Sequence, residues 1–564
     1  MGFTLLAGAF PGFLLGSLLA QILFFLNPLL PFQPLPVLRA VVVYGATGAL
    51  ASLVVLAVLR PRARFGFLAW GTFFALATAA TLAWVSPSHF AFFLPPGINV
   101  RLIKAAVGLT VFAVVAFYTA LLHSVLGRRY GWGSVALLAL AVLGASGLLL
   151  ERRKAFPAAA ESLAGGQVRQ EGSRVRLVVI GIDSASLDAV LPLAEEGLIP
   201  FFSQILDGGS LAHLTSLRPN RFSPLWTSVA TGRFPYQHGV VGFESLPAPW
   251  LGEGLELRLL PAPEPVGAWL RLGAAGRALD ARDRERLTLW EITSALGIPT
   301  GVVSWPLSAP YPGSLSLGVS ERFLAGEPGA EGEVTPPEAA SWVQQVRRAV
   351  LDLPQPIVAG RSGGREVRAA LEGDLWRLAL LNGFLDRQDQ SGAGFVLLPG
   401  LLTASRQFFG GFSAVHFEGR KEPANLEAAS NLAAYYVQLD ALLADLWARQ
   451  EQPCLLAVVS AYGVEGAYGW RRLRAGLFDE RSLDGYSDRS PDGLLMLYGA
   501  GIRAGARIPE AQLVDVVPTL LYALGLPLAR DLDGHVLRDA FAPAELSRRP
   551  QTFVASYEGL KPPP

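Results

Sequence analysis

The sequence predicts an α/β domain, a mostly parallel sheet with helices on both faces, preceded by an all-α transmembrane region. Three observations carry this expectation. Residues 1–150 contain no acid, Glu151 being the first Asp or Glu of the 564-residue chain, and they hold five long apolar segments. Leu177–Ile182 is a β-branched run of the kind that forms a buried parallel strand, and it ends at Gly181-Ile182-Asp183, a carboxylate where strand meets loop. Leu187 to Ile205 then carries apolar residues at helical spacing, broken near Gly197 and Pro200, so strand and helix alternate.

The five apolar segments fall at 4–28, 40–59, 66–85, 103–126 and 132–150, each near the ~20 residues a spanning helix needs. The first is no cleaved signal peptide, because it lacks a basic leading region and is too long for a signal core. Arg60, Arg62, Arg64, Arg128 and Arg129 fall in loops on one side. Arg39, Arg101, Lys104, Arg152, Arg153 and Lys154 fall on the other, so charge does not choose an orientation. Arg39 and Lys104 stand at segment starts, from which they can snorkel to either surface. Residues 151–175, rich in Ala, Gly, Ser and Gln over most of their length, form a linker, and a water-soluble domain follows from 176 to about 545. A net charge of +1 with no basic patch excludes nucleic acid as a partner. The single cysteine, Cys454, lies in an apolar strand-like run, which excludes a disulfide framework and a cysteine metal site.

Open α/β sheets bind ligands at the carboxyl edge of their strands, which makes Asp183 the first candidate site residue. Ser223-Pro224-Leu225-Trp226-Thr227-Ser228 places a hydroxyl at a helix start, with Pro224 near the first helical position. The positive end of the helix dipole suits an oxygen nucleophile or a bound phosphate there. An ordinary helix N-cap is the alternative role for Ser223.

The strand ending IGID, the segment SPLWTSVATG, the pentapeptide PYQHG, and residues 289–313 and 491–541 together resemble the alkaline phosphatase superfamily, in its type I phosphodiesterase/nucleotide pyrophosphatase-like branch. The resemblance runs with gaps to about residue 542 and implies an alkaline-phosphatase-like sheet over 176–545. Segments 244–285 and 320–390 match poorly and are expected as insertions over the site, or a cap. The tail 546–564, ending Lys-Pro-Pro-Pro, is expected to be disordered. Five spans followed by such a domain look like the lipid-linked phosphoglycerol and phosphoethanolamine transferases, which implies a multi-pass cell-membrane protein with its large domain outside the cytoplasm.

Members of this superfamily use two metal ions, zinc or manganese, and the resemblance locates the ligand positions. Asp183 matches one. Ser223 is the nucleophile candidate, although its spacing to Trp226 is one residue shorter than the family pattern and the strict register falls on Phe222. The Asp-x-x-x-His pair after the strand Gly394–Leu398 is occupied by Leu402 and Arg406. The Asp-His pair after Leu455–Ser460 is occupied by Ala461 and Tyr462, and the C-terminal His by Arg489. Five of six ligand positions are thus replaced. Leucine and alanine offer no donor atom, and arginine stays protonated without a lone pair. His416 with Asp479, Asp484 or Asp488 would be a shifted site without a spacing motif to support it. His238 and His535 match the family outside its metal site and carry a structural expectation.

Two arginines in place of a metal can hold a phosphate, sulfate or carboxylate by forked hydrogen bonds, or they can pair with acids such as Asp183 or Asp488. The leading expectation is therefore a pseudoenzyme without metal cofactors, acting as an anion-binding or structural module for an anionic headgroup, glycan or protein partner. The alternative is an active phosphodiesterase, phosphatase or headgroup transferase with two ions in a rebuilt site. A third reading, with the work done in the helices, has less support because few charged groups of the kind that mark transport paths lie in them.

Overall fold

The structure is a computed structural model that describes residues 2–59, 65–127, 130–150, 175–261, 264–330, 332–352, 364–388, 392–450, 453–466, 485–486 and 491–560. The chain forms two compact units, Met1–Ala160 with Val241–Leu279, and Glu161–Val240 with Asp280–Pro564. The linker expected at 151–175 lies outside the described residues up to 174.

The first unit contains five apolar helices, α1 (Gly2–Leu26), α2 (Pro34–Leu59), α3 (Phe65–His89), α4 (Pro96–Leu126) and α5 (Trp132–Leu149). All five are long and apolar enough to cross a bilayer. Leu18, Leu23, Tyr44, Ala79, Leu102 and Ala145 are buried between them, while Val42, Leu50, Val111 and Leu140 point outward. That outward apolar surface suits lipid. Helices α1 and α2 approach backbone to backbone: a Cβ on Gly12 would lie 2.0 Å from the Gly48 carbonyl oxygen. Small residues permit such contact where no hydrophobic force drives helices together.

Residues 241–279 belong to this helical unit. They form a small sheet of Glu256–Leu257, Glu244–Pro247 and Arg277–Ala278, plus the helix Glu264–Leu270. Asn27, buried just past the end of α1, holds them. Its Oδ1 accepts from the Arg258 and Leu259 amides at 2.6 and 2.9 Å, and its Nδ2 donates to the Leu259 carbonyl at 2.7 Å. Tyr44 donates its hydroxyl to the Leu270 carbonyl at 2.8 Å and accepts from Trp250 Nε1 at 3.2 Å. Within this unit, the part of the 244–285 segment up to 279 makes these contacts with the helices. The reason is polar: two side chains at the apolar helices need partners, and this segment supplies them.

The second unit is built on a nine-stranded sheet: β1 (Arg176–Ile182), β2 (Ser210–Thr215), β3 (Thr300–Val303), β4 (Leu317–Val319), β5 (Val334–Thr335), β6 (Ala393–Leu398), β7 (Cys454–Tyr462), β8 (Asp492–Gly499) and β9 (Ala506–Gln512). Its order is β9-β2-β8-β7-β1-β6-β3-β4-β5. The five strands β7, β1, β6, β3 and β4 run parallel, and β5 and β8 run against their neighbours. Val178, Ile180 and Ile182 of β1 face one layer of helices, formed by α6 (Leu187–Glu195), α7 (Pro200–Gly208), and the longer helices Ala339–Leu351, Gly364–Leu385, Gly400–His416 and Pro423–Ala448. The opposite face packs on α8 (Phe222–Thr231), where a Cβ on Gly181 would lie 2.8 Å from the Trp226 ring. The bend between α6 and α7 is 103°, at the Gly197–Pro200 break.

Two further expectations change. Segment 320–390 supplies β5 and two of the face-covering helices, since Val343, Val367, Leu371, Leu378 and Leu381 fall on buried helical stripes. It is part of the layer, not a cap. The tail is ordered through Leu560: Phe553–Val554 pairs with Leu528–Ala529, and buried Tyr557 donates its hydroxyl to the Pro527 carbonyl at 2.6 Å. Only 561–564 of it lie outside the described residues.

Replacing Asn27 by alanine strands the two amides and the carbonyl of Arg258 and Leu259. Amide exchange across residues 255–261, followed by mass spectrometry on the detergent-solubilised chain, is expected to rise by about tenfold or more relative to wild type.

Candidate functional site

The five parallel strands end at one edge, and Asp183 is the first residue past β1. Its amide donates to the Leu398 carbonyl at 3.0 Å, continuing the pairing with β6 and fixing the side chain at the edge. The next residue, Ser184, adopts a φ of 70°, and Ser304, just past β3, a φ of 60°. Non-glycine residues there are strained, and such strain concentrates at functional sites.

Asp183 is 1% exposed. Trp226 Nε1 donates to its Oδ1 at 3.3 Å. The Tyr462 phenol neighbours the same carboxyl, yet Oδ2 is left without a well-formed hydrogen bond. Burial pushes the carboxyl up to about 7, against the hydrogen-bonding influence of Tyr462 and Trp226 and the charge of Arg406; the charge of Asp374 acts in the same direction as burial. Tyr462 is raised well above the ordinary phenol value by burial and by the Asp183 charge. Behind Trp226 stand Trp305, perpendicular to it at 5.4 Å between centroids, and Trp290, 5.4 Å from Trp305. This aromatic wall makes the low-polarity surroundings of the carboxyl.

Ser223 is buried and is the second residue of α8. The cap position belongs to Arg221, which makes no side-chain capping bond. The N-cap role considered for Ser223 therefore does not apply, and Phe222 opens the helix. Ser223 lies one turn before Trp226, whose indole reaches Asp183.

Leu402 and Arg406 lie one turn apart on the helix Gly400–His416, hence on one face. Arg406 is exposed, enters no ion pair among the described residues, and acts by its charge on both Asp183 and Tyr462. Strand β7 runs through Ala461 and Tyr462, two residues beyond the expected Ser460, and both are buried. Arg489 lies outside the described residues, as do Asp479, Asp484 and Asp488. His416 sits 3.5 Å from Glu196. His238 is buried, with Nδ1 accepting from the Val240 amide at 3.2 Å, so Nε2 donates to Ser228 Oγ at 3.0 Å. Burial and the Arg284 charge lower its pKa to about 3, a neutral structural histidine.

Two residues not singled out in the sequence join this edge. Asp374, fully buried on the helix Gly364–Leu385, accepts from the Gly400 amide at 3.2 Å and the Tyr435 hydroxyl at 2.8 Å. Burial pushes it up to about 6, opposed chiefly by the Arg377 charge. Arg377 in turn donates Nε to Ser304 Oγ at 2.8 Å. The signal for Asp374 is present in the sequence: it interrupts the apolar stripe Val367, Leu371, Leu378, Leu381 at a core position.

The family profile described as type I phosphodiesterase / nucleotide pyrophosphatase matches residues 177–523. The chain belongs to that family. Solved structures similar to this family member include murine ectonucleotide pyrophosphatase / phosphodiesterase 5, at 12% identity over 65% of this chain and 100% of that one, with a TM-score of 0.39. The alkaline phosphatase PafA matches at 12% identity over 65% and 99%, with a TM-score of 0.42. Phosphonoacetate hydrolase from Sinorhizobium meliloti 1021 matches at 15% identity and a TM-score of 0.32 over 53% of this chain, which spans 58% of the hydrolase. No curated protein matches the chain.

The two metal ions associated with this family require three or four donors each. At the five described positions where the resemblance leads one to expect ligands stand Asp183, Leu402, Arg406, Ala461 and Tyr462, and among the described residues no three His, Cys, Asp or Glu are grouped to hold an ion. The charge of Arg406, which acts on Asp183, also repels a dication there. The described donor set does not fit a two-metal centre.

A carboxyl moved from its ordinary 3.8 to about 7 favours the folded state when protonated, with up to about 4 kcal/mol of linkage. That stability is fully present below about pH 4 and is lost as pH rises through about 7. Unfolding midpoints should therefore fall between pH 5 and pH 8 in the wild type, with a shallower fall in Asp183→Asn and a higher midpoint for the variant at pH 8. A variant less stable than wild type at pH 8 would refute this account of the buried carboxyl.

Proposed function

We propose that this protein is a membrane-anchored pseudoenzyme of the type I phosphodiesterase/nucleotide pyrophosphatase family, whose carboxyl-edge site binds an anionic group instead of hydrolysing a phosphodiester. The observation that carries this reading is Arg406, an exposed guanidinium without an ion pair among the described residues whose charge acts on Asp183, at a position where the resemblance leads one to expect a ligand. Asp183 and Tyr462, pushed toward their neutral forms, leave that charge free to meet a phosphate, sulfate or carboxylate. Arg489, which the resemblance sets at the C-terminal ligand position and which lies outside the described residues, is the candidate for a second cation. Ser223 remains as a vestigial nucleophile with no base hydrogen-bonded to it among the described residues. The anion belongs to a lipid headgroup, a glycan or a protein partner. The likeness to five-span headgroup transferases supports placing the large domain outside the cytoplasm, with α1 to α5 as its anchor.

The second reading, an active enzyme with a rebuilt site, is favoured by Asp374, a second buried carboxyl whose charge acts on Asp183. Elemental analysis of the purified chain is expected to find less than one zinc or manganese per molecule, and phosphate diesters should not turn over above background. Sulfate should raise the melting temperature of the wild type and leave Arg406→Ala/Arg489→Ala unmoved. Metal-dependent turnover that vanishes in Asp183→Ala would decide for the enzyme. A C-terminal reporter active only in the cytoplasm would overturn the orientation.

A further inference from the structure

The parallel pair Leu528–Ala529 with Phe553–Val554 is fixed by the Leu528 amide on the Thr552 carbonyl at 2.8 Å and the Arg530 amide on the Val554 carbonyl at 2.9 Å. Arg530 leaves the pair beside Phe553, its guanidinium 5.9 Å from the ring centre. The segment that follows, Arg530-Asp531-Leu532-Asp533-Gly534-His535, sorts its charges by direction. Asp531 turns to Arg233 at 2.7 Å and accepts from Ser556 Oγ at 2.8 Å. Asp533 accepts from the Phe234 amide at 2.8 Å and from Gln237 Nε2. Gly534 has no room for a side chain, since a Cβ would lie 2.0 Å from the Val514 carbonyl oxygen, and the His535 amide is tied to Asp515 at 2.7 Å. With both acids drawn away, the basic residues are left on the other side.

That side is a cavity of about 550 Å³, lined by Arg530, His535, Arg538, Gln551, Leu532 and Phe553 among others. Among the described residues no Asp or Glu lines it, and Arg530, His535 and Arg538 enter no ion pair. Its volume falls in the range of roughly 300–1,000 Å³ typical of small-molecule sites. Two guanidinium groups supply forked donors for an anion, while Phe553, 54% exposed, and Leu532 present an apolar surface. The cavity is separate from the Asp183 edge. Leu532 packs at Gly232, which ends α8 at the pole opposite Ser223, and a helix of ten residues spans about 15 Å.

We propose that this cavity binds a small organic anion, with a phosphonate, phosphate or carboxylate on Arg530 and Arg538 and a planar apolar body against Phe553 and Leu532. Phenylphosphonate, which carries no hydrolysable ester, is a suitable probe for calorimetric titration of the full-length protein in detergent. Titrated in the Arg406→Ala/Arg489→Ala background, which removes the anion site proposed at the strand edge, it should bind at one site, and about tenfold or more weakly once Arg530→Gln/Arg538→Gln is added. Phe553→Ala should bind several-fold more weakly, and methylphosphonate should bind the wild type more weakly than phenylphosphonate. An unchanged melting temperature of the unliganded glutamine variant, expected because both arginines are exposed and unpaired, shows that its fold is kept. Undiminished binding by that variant, absence of binding at millimolar probe, or loss of binding in Arg406→Ala/Arg489→Ala would each overturn the site. Equal binding of methylphosphonate would overturn the apolar part of the ligand.

Discussion

A buried carboxyl at the end of the central strand sets the terms for everything around it. Asp183 lies in the middle of five parallel strands, held by its own amide on β6, in a position where a charge is costly unless matched. A pair of metal ions is the family's way of meeting that cost. Among the described residues the surroundings of the carboxyl offer an indole N–H, a neighbouring phenol, a wall of tryptophans and the charge of Arg406. None of these compensates a full negative charge, and the carboxyl is accordingly held near neutrality.

The same logic recurs one strand over. Asp374 satisfies both oxygens with the Gly400 amide and the Tyr435 hydroxyl, and Gly400 has no room for a side chain because a Cβ would lie 2.1 Å from that hydroxyl. The turn from β6 into the helix carrying Arg406 is thus pinned from beneath by a carboxyl on a neighbouring helix. Arg406 can project from a fixed start without an ion pair of its own. The site thus combines carboxyls anchored to the scaffold, an Asp183 Oδ2 without a well-formed hydrogen bond, and the exposed Arg406.

Much of this was legible in the sequence because local pattern dictates it. The run Leu177–Ile182 became β1 from Arg176, the break at Gly197 and Pro200 became the bend between two helices, and all five apolar segments became helices. Asp183, Ala461 and Tyr462 could be placed at the edge because strand ends are written in short runs of residues. What escaped depends on contacts between distant positions. Asp374 stands about 190 residues from Asp183, and only three-dimensional packing makes it a neighbour. The order of the tail comes from pairing with Leu528–Ala529 and from Tyr557 on Pro527, neither of which a Pro-ended sequence announces. Segment 244–285 matches the family poorly and reads in sequence as an insertion over the site or a cap, yet its backbone up to 279 is what Asn27 and Tyr44 require.

Charge placement then separates the two halves of the argument about function. At the Asp183 edge, acids are buried and shifted toward their neutral forms while a cation stays exposed; along 530–538, acids are paired away toward Arg233 and Gln237 while cations line a cavity. Both arrangements leave positive charge facing outward without a resident partner among the described residues, in a chain whose net charge is only +1. Neutral overall balance therefore hides local polarisation. Arginines that structure alone required would be expected to sit with their acids, as Arg233 does with Asp531 and Arg284 with Glu291. That Arg406, Arg530 and Arg538 do not is the physical ground for reading both places as sites for anions.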